Sequence, residues 1–354
     1  MGLGENQNIL VRLPNWLGDV VMSTPGLRAL RAGFPNARIH FHVRRELAPL
    51  LDGAPWFDEL HSFDRQPRWS EAWREGRALG SLRRFDLGLC LPDSFSSAFL
   101  MRAAGVECVV GYGRSGRGAL LHRRIPPPGG RGRQWVARER SILELVKSLG
   151  CSERGTHLEL FTTDAEEARA TAVLDEASSA QESRRPWVFL APGASFGPSK
   201  CWPVASFAAV GDQLAAAGAR VGVLGTASEG ALAARVCAAM SSPARNLAGA
   251  LDLGALKAAL RRAAAVVCND AGARHVAVAF GVPCVVLMGP TRLEKTGMNL
   301  DRVAVLQADV PCRPCYQRQC PIDHRCMTRL SPEAVLDALR DGRGALEFQP
   351  LGSR

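Results

Sequence analysis

The stretch Ile9-Leu-Val-Arg-Leu-Pro-Asn-Trp-Leu-Gly-Asp-Val-Val-Met-Ser-Thr-Pro-Gly-Leu-Arg-Ala-Leu30 decides how the chain folds. The apolar run Ile9–Leu13 has the length of a buried parallel strand, Gly18 permits a tight turn, and Val20–Gly33 has helical spacing. Asp19 stands where helix caps stand, so its carboxylate is expected at the carboxyl end of the first strand. In open α/β sheets that end is the ligand crevice. An acid placed there serves as a cap, as a catalytic base, or as both.

The same grammar continues along the chain. In the amino-terminal half, strands are expected at Ala37–Val43, Glu59–Phe63, Leu87–Leu91 and Cys108–Gly111. Helices are expected at Glu46–Leu51, Trp69–Arg83, Ser96–Ala104 and Trp135–Leu149, with Gly111–Gly132 as a long loop rich in Gly, Arg and Pro. A helix over Asp164–Ala180 closes this half, and the polar, proline-ended Gln181–Pro186 reads as a linker. The second half restarts with strands Trp187–Ala191, Arg220–Leu224, Ala265–Cys268 and Cys284–Met288 and a short one at Ala244–Asn246. Its helices are expected at Pro203–Ala217, Ser228–Met240, Leu253–Ala264, Gly272–Phe280 and Pro332–Arg340. The fold class is α/β, with two Rossmann-like domains (1–180 and 186–340), each with a parallel sheet, and a cleft between them.

Composition narrows the function. The chain has 354 residues, 47% apolar and 22% charged, which suits two globular domains. No apolar run reaches the length of a membrane span, and the first residues lack a signal peptide's basic region and apolar core, so a cytoplasmic protein is expected. Eleven cysteines in such a chain are not a disulfide framework. The net charge of +10 is concentrated in residues 1–150, which hold 22 Lys and Arg against 14 Asp and Glu. Such a surplus suits an anionic partner or is an arginine-rich solvated surface.

Two loops in the second half carry candidate chemistry. Ala191-Pro-Gly-Ala-Ser-Phe-Gly-Pro-Ser-Lys-Cys-Trp-Pro203 joins a strand to a helix and offers Ser195 and Lys200 to a phosphate, without the Gly-Lys-[Ser/Thr] ending of a Walker loop. Alone it is also readable as a surface turn. Cys268-Asn-Asp-Ala-Gly-Ala-Arg-His275 opens a helix whose free N–H groups make an anion site. Asp270 there is a cap or an acceptor for sugar hydroxyls, and His275 a buried histidine or a phosphate ligand.

Taken in order, Pro14-Asn-Trp-Leu-Gly-Asp19, Pro192–Pro203, Asn269–Pro283 and Gly289-Pro-Thr291 resemble the ADP-heptose:lipopolysaccharide heptosyltransferases, glycosyltransferase family 9. Asn15-Trp-Leu-Gly-Asp19 and Leu91-Pro-Asp-Ser-Phe-Ser-Ser-Ala98 are similar to its heptosyltransferase II branch. The resemblance spans about residues 9 to 340 and implies a GT-B fold, with the parallel sheets of two Rossmann-like domains facing an inter-domain cleft. It implies inverting, metal-independent transfer from ADP-heptose, with Asp19 as general base. It implies donor binding by Ser195, Lys200, Gly225, Thr226, Asp270, Ala271, Gly272 and His275, Asp270 holding the heptose. Phe196 departs from relatives that carry a hydroxyl residue there.

The implied acceptor is the anionic heptosyl-Kdo inner core of lipopolysaccharide, for which Arg102, Arg114 and Arg117, with Arg123 and Arg124, are candidate contacts. Peripheral contact with the inner membrane is expected, and no nucleic acid partner. Within the class, heptosyltransferase I or a member with another acceptor is the alternative. Outside it stand a nucleotide- or RNA-binding module, disfavoured by the absence of an RNA-binding signature and by only two tyrosines, and a non-catalytic family member. No cofactor is required for the reaction. Cys312, Cys315, Cys320 and Cys326, with His324, form either a structural zinc cluster or a loop of reduced thiols.

Overall fold

The computed structural model describes residues 7–64, 69–129, 136–176, 179 and 181–341. The chain divides into two compact units, Met1–Phe161 with Glu294–Met298, and Thr162–Leu293 with Asn299–Arg354. The boundary corrects the expected one at 180–186. Helix Asp164–Asp175 packs on helix Leu253–Arg261 of the second unit. A buried ion pair, Lys257 Nζ to Glu166 Oε1 at 3.0 Å, joins the two helices. The helix is capped by Thr163 and Glu166 in a reciprocal capping box rather than by Asp164. The predicted end of this helix, at residues 177, 178 and 180, lies outside the described residues.

The first unit holds strands β1 (Asn8–Arg12), β2 (Arg38–Arg44), β3 (Glu59–Phe63), β4 (Leu87–Cys90), β5 (Cys108–Tyr112) and β6 (Arg123–Ile125). They pair in parallel in the order β3-β2-β1-β4-β5-β6. Strand β6 lies within the segment predicted as loop. It is a three-residue edge strand with two exposed arginines, which blunts the sheet edge and hides the strand signal. Residues 130–135, which hold the rest of that loop and the start of the helix predicted from Trp135, lie outside the described residues.

The helix predicted over Val20–Gly33 is two helices, Leu17–Val21 and Thr24–Gly33. Pro25 sits in the first turn of the second, where its missing N–H is harmless. Continuous helix through it would set its ring against the Val21 carbonyl. That carbonyl instead accepts from Thr24 Oγ1 at 2.8 Å.

The second unit repeats the design with β7 (Trp187–Ala191), β8 (Arg220–Val223), β9 (Ala244–Asn246), β10 (Ala265–Asn269), β11 (Cys284–Leu287) and β12 (Val303–Leu306). All pairs are parallel and the order is β12-β11-β10-β7-β8-β9. Counted within its unit, this order equals that of the first sheet. Strand β12 was not anticipated. Apolar side chains of β7, β8, β10 and β11 pack with Phe207, Val210 and Leu214 of helix Val204–Ala216 and with Val335 and Leu339 of helix Pro332–Arg340 into one core. Among the described residues no helix is long and apolar enough to cross a membrane.

Candidate functional site

In each sheet the strand order reverses between two central strands, β1 and β4 in one and β7 and β10 in the other. Crossovers leave in opposite directions there, which opens a crevice at the carboxyl ends. The loops that carry Asp19, Leu91–Ala98, Ser195 and Lys200, and Asp270 follow these four strands.

In the first unit, Asp19 follows β1. It is the third residue of helix Leu17–Val21, inside the first turn rather than at the cap, which Trp16 occupies without a side-chain hydrogen bond. Its carboxylate is therefore not committed to capping. Arg138 Nε lies 3.7 Å from Asp19 Oδ1, and its Nη2 donates to the carbonyl of Leu91 after β4 at 3.1 Å. Helix Arg138–Lys147, which begins with that arginine, lies against helix Thr24–Gly33, and a Cβ at Gly26 would stand 2.5 Å from Ile142 Cγ2. The Asp19 side chain is 31% exposed. Burial raises its pKa above the ordinary aspartate value, against the pull of Arg138 and of Lys295, which belongs with this unit.

The acceptor candidates separate. Arg117 is fully buried. Its guanidinium donates to the carbonyls of Tyr112, Pro92 and Ser94, to Ser97 Oγ and to Asp93 Oδ1. It ties down the Leu91–Ala98 loop and has no face left for an acceptor, which corrects its expected role. Arg114 is half-exposed and 3.7 Å from Asp93 Oδ2. Arg102 lies in the last turn of helix Phe95–Ala103 beside His122, and Arg123 and Arg124 are exposed on β6.

In the second unit, the loops after β7 and β10 meet. Asn269, fully buried at the end of β10, donates to the Pro192 carbonyl at 2.7 Å and accepts from Trp202 N–H at 3.0 Å. Lys200 Nζ reaches Asp270 Oδ2 at 2.6 Å and the Asp270 carbonyl at 2.9 Å. Arg274 Nη1 lies 3.3 Å from Asp270 Oδ1, and Thr291 Oγ1 donates to Oδ2 at 2.9 Å. Burial disfavours the Asp270 charge, but Lys200 and Arg274 outweigh it and hold the carboxyl below its usual range. Burial first, and then Arg274, lower His275, which stays neutral at pH 7.

Ala271 is the cap position of helix Gly272–Ala279 and makes no side-chain cap bond, so no cap side chain takes up the first N–H groups of this helix. Ammonium, helix N-terminus and neutral imidazole are groups whose chemistry suits an anion, with the ammonium paired here to Asp270. Ser195 is exposed on the loop above. Gly225 and Thr226 follow β8, outside the switch point. Thr226 Oγ1 lies 3.0 Å from Glu229 Oε2, and the Glu229 carboxylate lies against Gly193. Sequence reasoning missed Arg138, Arg274 and Glu229. Arg274 was detectable as the residue one helical turn after Asp270, and Glu229 as the last residue of the capping-box pattern Thr226-Ala-Ser-Glu229; Arg138 gave no local signal.

The four clustered cysteines are free, Cys312 and Cys315 exposed and Cys326 buried. Among the described residues, the set of three His, Cys, Asp or Glu ligand atoms within 4.8 Å of one another is His40, Glu59 and His61. These lie on β2 and β3, and Arg38 and Arg83 also hold Glu59.

Two Rossmann-like units of one strand order, with Asp19 at one switch point and the Lys200–Asp270 pair and a helix N-terminus at the other, are the architecture of a GT-B glycosyltransferase. The chain belongs to glycosyltransferase family 9 (heptosyltransferase), whose description matches residues 72–325. It is 30% identical over 292 residues to lipopolysaccharide heptosyltransferase 2 of Salmonella typhimurium, covering 80% of this chain and 83% of that one. It is 30% identical over 349 residues to lipopolysaccharide heptosyltransferase 2 of Escherichia coli K12, covering 94% and 97%. The solved structure of E. coli ADP-heptose lps heptosyltransferase II superposes with a TM-score of 0.79 at 26% identity, over 94% of this chain and 97% of that one.

Proposed function

We propose that the chain is a heptosyltransferase II. It transfers L-glycero-D-manno-heptose from ADP-heptose to the heptosyl-Kdo inner core of lipopolysaccharide, with inversion and without a catalytic metal. The observation that carries this is the division of labour between the two switch points. One presents a part-exposed aspartate of raised pKa, the other a lysine and a helix N-terminus fit for a diphosphate.

Asp19 accepts the proton of the acceptor hydroxyl as its oxygen attacks the anomeric carbon. The bond from that carbon to the ADP oxygen breaks in the same step. The raised pKa makes Asp19 a stronger base than a solvated aspartate. Charge developing on ADP is met by Lys200, the N–H groups of Ala271 and Gly272, Ser195 and the one N–H of neutral His275. Asp270 keeps lone pairs beyond those used by Lys200, Arg274 and Thr291, and accepts from heptose hydroxyls. Gly225 and Thr226, with Glu229, lie on the nucleotide side.

The acceptor is anionic and lipid-bound, so the enzyme works in the cytoplasm, in peripheral contact with the inner membrane. Arg102 and Arg114 are the acceptor contacts. Exposed Trp69, Trp73 and Leu82 share helix Trp69–Leu82 with exposed Arg74 and Arg77, a face suited to an anionic bilayer surface. The test is ADP release from ADP-heptose with defined truncated cores. Turnover on the heptosyl-Kdo core and a fall of about 10²- to 10⁴-fold in Asp19→Ala are expected. Near-normal turnover by the variant would remove Asp19 from the role of base.

A further inference from the structure

The segment from Gln307 to His324 contains no helix or strand, yet it holds three of the four clustered cysteines and is fastened to the loop that carries Lys200 and to the loop that carries Thr291. Ser199, beside Lys200, receives most of the fastenings. Its N–H donates to the Arg318 carbonyl at 3.2 Å and its Oγ to the Gln317 carbonyl at 2.5 Å. Its own carbonyl lies 2.8 Å from His324 Nε2. Gly197 has φ of 147° and faces the Arg318 carbonyl so closely that a Cβ would stand 2.6 Å from it. On the other side, Tyr316 N–H donates to Pro290 and Arg313 Nε to Gly289, next to the Thr291 that holds Asp270.

An irregular segment of this length inside a compact domain has little apolar core of its own and needs another source of order. Cys312, Cys315, Cys320 and Cys326 all line one cavity of about 70 Å³, with Ser199 and Pro290 on its wall. Cys320 Sγ also accepts the His324 backbone N–H at 3.3 Å, which fixes that sulfur beside the cavity. Four sulfur donors around one cavity, one already solvated by a backbone amide, are the ligand set of a thiophilic tetrahedral metal.

We propose that Cys312, Cys315, Cys320 and Cys326 bind one zinc-class ion as thiolates, and that this ion fixes the loop bracing Lys200 and Asp270. Each thiol releases its proton on ligation, and no electron changes hands. No three of the four sulfurs lie within 4.8 Å of one another, so ligation requires the sulfurs to close on the ion. The ion touches no substrate. It positions the donor loops through Ser199 and Pro290. The bracing half of the proposal rests on the donor-site reading above, whereas the metal half does not.

The full chain, purified without a histidine tag, serves for the test. About one zinc-class ion per chain is expected in the wild type and almost none in Cys315→Ser and Cys320→Ser, both checked for folding by circular dichroism. Cobalt(II) added to stripped wild type is expected to give thiolate charge-transfer and tetrahedral d–d bands, absent from a Cys315→Ser/Cys320→Ser double variant. Stripping is expected to weaken ADP binding about tenfold, with zinc restoring it in the wild type and not in the variants. Metal-free wild type without cobalt bands would overturn the site. Stoichiometric metal with unchanged ADP affinity after stripping would overturn the bracing role. Failure of metal-loaded wild type to bind ADP would strike the donor reading and leave the metal count standing.

Discussion

The two units share a strand order and differ in what stands at the ends of corresponding strands. After β1, Asp19 is part-exposed, has Arg138 at 3.7 Å and is pushed up in pKa by burial. After β10, Asp270 is buried, held by Lys200, Arg274 and Thr291, and pulled down in pKa. Both are aspartates on parallel α/β scaffolds. The difference is the number and distance of the cations around each. A carboxylate left short of partners keeps its appetite for a proton, and one saturated with them gives its basicity up and serves as an anchor. Fold sets where the two acids lie, and neighbours set what each does.

The sharpest way to break this contrast is to remove each member in turn. Asp19→Asn keeps shape and loses basicity. The kcat is expected to fall about 10²- to 10⁴-fold while ADP affinity, measured by calorimetry, stays the same. Lys200→Ala acts on the other side. On the proposed reading it removes the compact charge that meets the leaving diphosphate, so kcat/KM is expected to fall about 10²- to 10³-fold, with ADP binding weakened as well. If Lys200→Ala left ADP affinity intact, the second switch point would not be the diphosphate site.

Much of this contrast was legible in the sequence. Short apolar runs ending in Asp19 and Asn269-Asp270 placed both acids at strand ends, because buried parallel strands are continuous apolar stretches. The partners were not legible. Arg138 lies 119 residues beyond Asp19, and nothing local marks it as the arginine that reaches across. Arg117 misled for the converse reason. An arginine in a Gly- and Arg-rich segment reads as surface, and only tertiary structure shows the carbonyls of Tyr112, Pro92 and Ser94 enclosing it. The edge strand β6 escaped because two of its three residues are exposed arginines, whereas β12, Val303-Ala-Val-Leu306, carried an apolar run that was passed over. Helix Asp164–Asp175 was assigned to the wrong unit because its helical pattern does not encode which neighbour pairs with Glu166.

Acidity sharpens the comparison through stability. Asp270 has a folded pKa below its unfolded value of about 3.9. Its contribution is therefore present above that value and is lost as pH falls through the folded pKa. Asp270→Asn is expected to cost about 3–5 kcal/mol at neutral pH by leaving buried Arg274 short of its carboxylate. It should also flatten the acid limb of the melting-temperature profile. Asp19 has the opposite sign. Its folded pKa is raised, so the folded state loses stability as pH rises from the unfolded value through the folded one. Asp19→Asn is expected to leave the melting temperature unchanged or slightly higher at pH 7. In the wild type kcat/KM should decline on the acid side around a pKa above that of a solvated aspartate. A decline at the ordinary value would mean that burial does not tune this base.

The smallest effect separates two arginines three residues apart. Arg114 is half-exposed and its pair with Asp93 spans 3.7 Å, so the pair itself is worth about 0–1 kcal/mol. Arg114→Glu should therefore leave the melting temperature nearly unchanged. As an acceptor contact it should raise the KM for an anionic core a few-fold, with the difference shrinking at high salt as charges are screened. The KM for ADP-heptose should not move if, as proposed, the second unit holds that sugar nucleotide. Arg117→Ala is the control, because its guanidinium is fully buried and bonded to five groups of the same loop region. Its loss should lower stability with no salt-dependent signature. If Arg114→Glu left acceptor KM unchanged at every ionic strength, the acceptor's charge would be read elsewhere on the first unit, and the exposed arginines of β6 would be the next to reverse.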